Sequence, residues 1–108
     1  MHVKTPYCLG DEVIAFGDFC FTTHLTTESN LCVKKPEFLS WETAATTGIA
    51  YATAYHALID RAGLTRDDTV LIHSACGGVG LAAINIAKFV GCTIVATAGT
   101  QVRDKLRS

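Results

Sequence analysis

The sequence predicts an α/β chain made of two unlike parts. Two features of the 108 residues carry that expectation. Up to Pro36 the apolar residues fall in short runs broken by turn formers, which is strand patterning. From Ser40 onward the runs are long and small-residue rich. They close with one strand, a glycine-rich turn, a helix and a second strand between Thr69 and Gly99.

The elements follow in order. "DEVIAF" (11–16) reads as a strand after the turn at Gly10-Asp11. "FCFTTHLTT" (19–27) mixes aromatic and β-branched residues at period two and is expected to be a strand. "NLCVK" (30–34) is a third, ended near Pro36. Ser40 is placed to cap a helix, with Glu42 in its first turn. "WETAATTGIAYATAYHALIDRAG" then reads as helical, with a break expected near Thr46-Thr47-Gly48 and Gly63 as its C-cap. "TRDD" is a turn and "TVLIHSA" a strand. "GVGLAAINIAKFVG" is a helix closed by Gly91, and "CTIVATAG" a final strand.

Strand, turn, helix and strand make one βαβ unit of about the usual 30 residues. The final strand is continuously apolar, as in a parallel sheet covered on both faces. Leu81–Val90 is apolar nearly all round, apart from Asn85 and Lys88, and is expected to pack deeply.

The turn is "HSACGGVG" (73–80), in which Ala75-x-Gly77-x-x-Gly80 has the spacing of a dinucleotide fingerprint with alanine first. Ala75 keeps the turn tight. Gly77 lets backbone approach a pyrophosphate, and Gly80 lets helix and strand pack closely. Gly78 and Val79 complete the turn, and the helix N-terminus offers amides and a positive dipole end. The competing reading is a small-residue turn that serves only helix–sheet packing.

Such a unit for NAD usually has an acid about 20 residues on, for the ribose 2′-hydroxyl. No acid occurs from Cys92 to Arg103, and position 100 is a threonine. Thr97, Thr100 and Arg103 stand there instead, and an arginine suits a 2′-phosphate. The expected cofactor is NADPH.

Composition excludes other classes. The chain is 49% hydrophobic and 18% charged, with a net charge of −1. Residues 1–54 carry 3 basic and 6 acidic side chains, and residues 55–108 carry 6 and 4. That asymmetry is too mild for nucleic acid. No run approaches a membrane span of about 18 apolar residues, and no secretory leader is read. Five scattered cysteines are expected to be reduced thiols in a cytoplasmic protein. Cys20, His24 and Cys32 lack the close cysteine pairs of zinc sites, so no metal is expected.

"VLIHSACGGVGLAAINIAK", "AATTGIAYATAYHAL" and "GDEVIAF" resemble the medium-chain dehydrogenase/reductase superfamily over nearly the whole chain. Within it, "LIHSACGGVG" and "ATAGTQVRDKL" are most similar to enoylreductase domains of polyketide synthases and animal-type fatty acid synthases, and next to zinc-free quinone oxidoreductases. The resemblance implies residues 1–43 in the C-terminal part of a GroES-like catalytic domain and 44–108 in the N-terminal part of a Rossmann NADPH-binding domain. It also implies a fragment of a longer reductase. The implied reaction is hydride transfer to an α,β-unsaturated acyl thioester presented by an acyl carrier protein, in a homodimer. Thr53 matches a family threonine near the nicotinamide. The family's proton donors match no position here. Tyr51, Tyr55 and His56 are acids in principle but, as helix residues, are expected to serve packing; His73 is expected to be hydrogen-bonded scaffold rather than a base, and Cys76, beside the turn, a small filler rather than a reactive thiol. A free-standing quinone or enone reductase, and a non-catalytic pseudo-reductase, remain the alternatives.

Overall fold

The computed structural model describes residues 6–99. The chain divides into two compact units, Met1–Gly48 and Ile49–Ser108.

In the first unit, β1 (Val13–Ala15) pairs antiparallel with β2 (Cys32–Lys34), in the register Ile14↔Val33. Two further bonds lengthen the ladder, Phe16 N to Leu31 O and Lys35 N to Glu12 O, each 2.9 Å. The strand expected over 19–27 is absent. Those residues bond locally instead: Thr22 N to Cys20 O at 2.9 Å, Cys20 Sγ to Gly17 O at 2.8 Å, and Thr22 Oγ1 to His24 O at 3.1 Å. Phe19 takes a left-handed φ of 56° that no strand residue adopts. Strand propensity is a fit to a half-buried pleated surface. Phe19 and Phe21 are fully exposed here, so no such surface meets them.

Lys35 is the buried charge among the described residues of this unit. Its Nζ lies 2.9 Å from Glu12 Oε2 and donates to Leu39 O at 2.8 Å, with the Trp41 ring centroid 5.1 Å away. The pairing offsets the desolvation of the ammonium group. Asp11 accepts from Cys8 N at 2.8 Å and faces Lys34 Nζ at 3.1 Å. Those bonds, Cys8 first, hold its carboxyl below the ordinary value.

Helix α1 spans Trp41–Tyr55. Ser40 caps it: Thr43 N donates to Ser40 Oγ at 3.1 Å. The helix runs unbroken through Thr46-Thr47-Gly48, contrary to expectation. Gly48 serves close approach, since a Cβ there would sit 3.3 Å from Phe16 Cζ. After Tyr55 the helix widens into a π-helical segment, His56–Arg61. Gly63, at φ +61°, closes it, with Gly63 N bonded to Ile59 O at 3.1 Å.

In the second unit, β3 (Thr69–Ile72), α2 (Gly78–Val90) and β4 (Thr93–Ala96) form the expected βαβ unit. β3 and β4 are parallel, with Thr69↔Thr93 and Ile72↔Ala96 in register. Asp68 sets the entry to β3 by accepting from Thr65 N at 2.7 Å and Thr65 Oγ1 at 2.8 Å. These two bonds lower its pKa. Gly91, at φ +85°, ends α2.

The core is small. Ala54, Ile72, Ala75, Ala82 and Ala83 are buried together, with Leu58, Val70, Ile84 and Ile94 half-buried around them. The deep burial expected of α2 does not occur in these residues. Its alanine stripe (Ala82, Ala83, Ala87) is buried, while Phe89 is 93% exposed. Nor is β4 covered on both faces, since only Ile94 of its four residues is even half-buried. The reason is the same in each case. Among the described residues, the neighbours of α2 (β3, β4 and the helix before β3) and of β4 (β3 and α2) leave one side of each element uncovered, and only the facing side is buried.

Candidate nucleotide-binding site

The site is the turn that joins β3 to α2. Beyond Ile72 the two parallel strands stay paired through Thr97 N to Ile72 O at 2.9 Å and Ala75 N to Thr97 O at 3.0 Å. Ser74 then takes a left-handed φ of 52°, and its carbonyl accepts from Gly77 N at 2.9 Å. Nothing in the sequence marks Ser74 for that role, because serine carries no special preference for positive φ. Ala75 is completely buried against Ala54 and Ile72, where a larger side chain would have no room.

The glycines fall into two kinds. A Cβ on Gly80 would stand 2.6 Å from Ser74 O and 2.8 Å from Ala75 Cα, so helix–strand packing alone demands glycine there. Gly77 is the N-cap of α2, with φ −75° and ψ 168°, a conformation open to any residue. A Cβ on Gly77 would meet only Ser74 O, at 3.4 Å, and one on Gly78 would meet nothing within 4 Å. Neither backbone strain nor the protein's own packing requires glycine at 77 or 78. The bare backbone at these positions leaves open space at the end of the helix.

That space faces amides. The bond from Leu81 N to Gly77 O, at 2.9 Å, is the first of the helix. The amides of Gly78, Val79 and Gly80 precede it and sit at the positive end of the helix dipole. An anionic group with several acceptor oxygens suits such a cradle.

Of the other predicted site residues, Thr97 lies at the mouth of the turn, held to β3 by the two backbone bonds above. Thr53 is exposed on α1, one residue before Ala54, which packs against Ala75. Thr100 and Arg103 lie outside the described residues. His73 is hydrogen-bonded as expected, its Nδ1 standing 3.0 Å from Thr97 Oγ1. Tyr51 accepts from Asn85 Nδ2 at 2.7 Å, a pairing the sequence does not announce. His56 faces Asp60 at 3.2 Å. Tyr51 and Tyr55, expected to be packed, instead line an open apolar hollow of about 420 Å³ with Ile59, Ile86 and Phe89. Among the described residues no group of three or more His, Cys, Asp or Glu side chains could hold a metal ion. Nor, among them, is any helix long and apolar enough to cross a membrane.

A parallel βαβ unit with free helix amides at the carboxyl end of its first strand is the architecture common to nucleotide-binding α/β proteins. Comparison with known proteins narrows the class. No family model matches the chain. It is 48% identical over 99 residues to the highly reducing polyketide synthase lcsB of Purpureocillium lilacinum, covering 92% of this chain and 4% of that one. The crystal structure of CurK enoyl reductase superposes with a TM-score of 0.83 at 35% identity, over 94% of this chain and 31% of the other. The nucleotide-binding subdomain of the enoylreductase domain of PpsC from Mycobacterium tuberculosis superposes with a TM-score of 0.53 at 46% identity. That match covers 56% of this chain and 34% of the subdomain chain. The chain belongs to the medium-chain dehydrogenase/reductase superfamily, in the enoylreductase branch found in polyketide synthases. It spans about 4% of the length of the curated relative it matches and about a third of the enoyl reductase structure.

Proposed function

We propose that residues 69–99 form the first βαβ unit of the nucleotide-binding half of an enoylreductase, and that the turn 74–80 binds the pyrophosphate of NADPH. The observation that carries this reading is the pair Gly77 and Gly78, glycines that neither backbone strain nor packing requires. A ligand that comes close to the backbone explains them. The amides of Gly78, Val79 and Gly80 would donate to the phosphate oxygens. Ala75 and Gly80 hold helix and strand close enough to aim those amides. Thr97, with Thr100 and Arg103 beyond it, takes the place of the acid that would select NAD. Thr53, from its exposed position on α1, would border the nicotinamide.

When bound, NADPH would supply hydride to the β-carbon of an α,β-unsaturated acyl thioester. The chain's own part in this is to bind and orient. The relatives are polyketide synthases, which supports an acyl thioester substrate; its presentation on an acyl carrier protein and a homodimeric assembly belong to the same proposal.

Titration of the intact protein and its Gly77→Val variant with NADPH, followed by nucleotide fluorescence, tests the reading. The variant should weaken binding at least about tenfold, roughly 1.4 kcal/mol, with an unchanged circular dichroism spectrum. Equal affinity in the two proteins would reduce the turn to a packing device.

A further inference from the structure

The geometry points to His73 as a positioning residue that turns the Thr97 hydroxyl into a donor for the 2′-phosphate of NADPH. The inference rests on the nucleotide reading above and adds to it the residue that sets the choice between the two nicotinamide cofactors. His73 and Thr97 are the first residues beyond the carboxyl ends of β3 and β4. The register Ile72↔Ala96 makes them cross-strand neighbours, and both are exposed. Ligands of open parallel sheets lie beyond this edge.

The Thr97 backbone has no freedom left. Its N–H donates to Ile72 O at 2.9 Å, and its carbonyl accepts from Ala75 N at 3.0 Å. What remains is the direction of one hydroxyl proton. Thr97 Oγ1 lies 3.0 Å from His73 Nδ1, and a hydroxyl has one proton and two lone pairs. Were Nδ1 the acceptor, the Thr97 proton would point at the ring. The hydroxyl would then offer only lone pairs beyond the sheet edge, which repel an anionic oxygen. With the proton on Nδ1, His73 donates and the Thr97 proton is released outward. The second arrangement is the productive one. It gives a phosphate oxygen a charge-assisted hydrogen bond. It gives much less to the 2′-hydroxyl of NADH, which is neutral. A ring that merely braced the strands would serve both cofactors alike.

The test is the ratio of dissociation constants for NADPH and NADH, measured by calorimetry on the intact protein. His73→Phe removes the donor and should weaken NADPH binding at least about tenfold, leaving NADH within about twofold. Thr97→Val should do the same, and the double variant should be no worse than Thr97→Val. His73→Asn, whose side-chain amide can donate from a similar position, should restore the ratio. Nitrogen-15 spectra should show His73 protonated on Nδ1. Equal losses for both cofactors, an unchanged ratio in Thr97→Val, or an Nδ1 without a proton would overturn the assignment while leaving the nucleotide reading intact. Absence of saturable binding of either cofactor by the unmodified protein would overturn both. Should His73→Phe fail to fold, the Thr97→Val and His73→Asn ratios decide between the same outcomes.

Discussion

At the scale of single residues, the turn 74–80 separates two uses of glycine. Gly80 is required by the protein itself, because the carbonyl of Ser74 occupies the space a Cβ needs. Gly80→Ala should therefore lower the thermal midpoint and disturb the β3–α2 junction, where Gly78→Ala should leave stability nearly unchanged. Thermal melts of the two variants check this, and equal destabilisation would remove the distinction. Asp68 offers a second test. Its folded pKa lies below the ordinary value of 3.8 because it accepts two bonds from Thr65. A carboxyl depressed in the folded state stabilises above its unfolded pKa and loses that contribution as pH falls through the folded one. The turn leading into β3 should thus hold at neutral pH and loosen below about pH 3.8. A carboxyl titration followed by NMR should place the Asp68 midpoint below 3.8. A midpoint at or above that value would contradict the bonding described.

Among elements, legibility in the sequence followed how local the determining chemistry is. The Ser40 cap, the turn at Thr65–Asp68 and the glycine ends at Gly63 and Gly91 are each fixed by residues within a few positions of one another, and each is read directly from the chain; the βαβ unit is read from the succession of such local signals, although its strands pair across 24 positions. What depends on a distant partner was not legible. The segment Phe19–Thr27 has the composition of a strand, but strand formation needs a neighbouring strand, and local bonds from Cys20 and Thr22 take its place. Gly48 looked like a helix breaker because its close neighbour, Phe16, is 32 positions away in the sequence. The fingerprint itself was legible as a spacing, but Ser74 and the His73–Thr97 pair emerge only when β3 and β4 are laid side by side. Of the residues expected to read the 2′-phosphate, only Thr97 falls within the described ones. Ser40→Ala should cost about 1 kcal/mol, seen as a lower urea midpoint. No change would mean that Glu42 and the buried Ala44 hold the first turn without the cap.

At the scale of the whole molecule, the apolar surface is the dominant fact. Phe89, Leu71 and Val95 stand exposed in the second unit, and Phe89 helps to line the hollow at Tyr51 and Tyr55. A handful of alanines and one isoleucine make up its buried core. Exposed patches of this kind drive association. Residues 1–108 expressed alone should therefore elute from a sizing column as aggregates or oligomers and should not reduce a crotonyl-type thioester with NADPH. A stable monomer that turns over would contradict both the packing and the expectation that the proton donor lies elsewhere in the longer protein.

In the proposed site the backbone amides of one turn hold the nucleotide. Hydrogen exchange of the intact protein, read by mass spectrometry with and without saturating NADPH, addresses those amides directly. Peptides covering residues 74–81 should exchange markedly more slowly with the nucleotide bound. Saturating binding that leaves exchange in 74–81 unchanged would contradict the account.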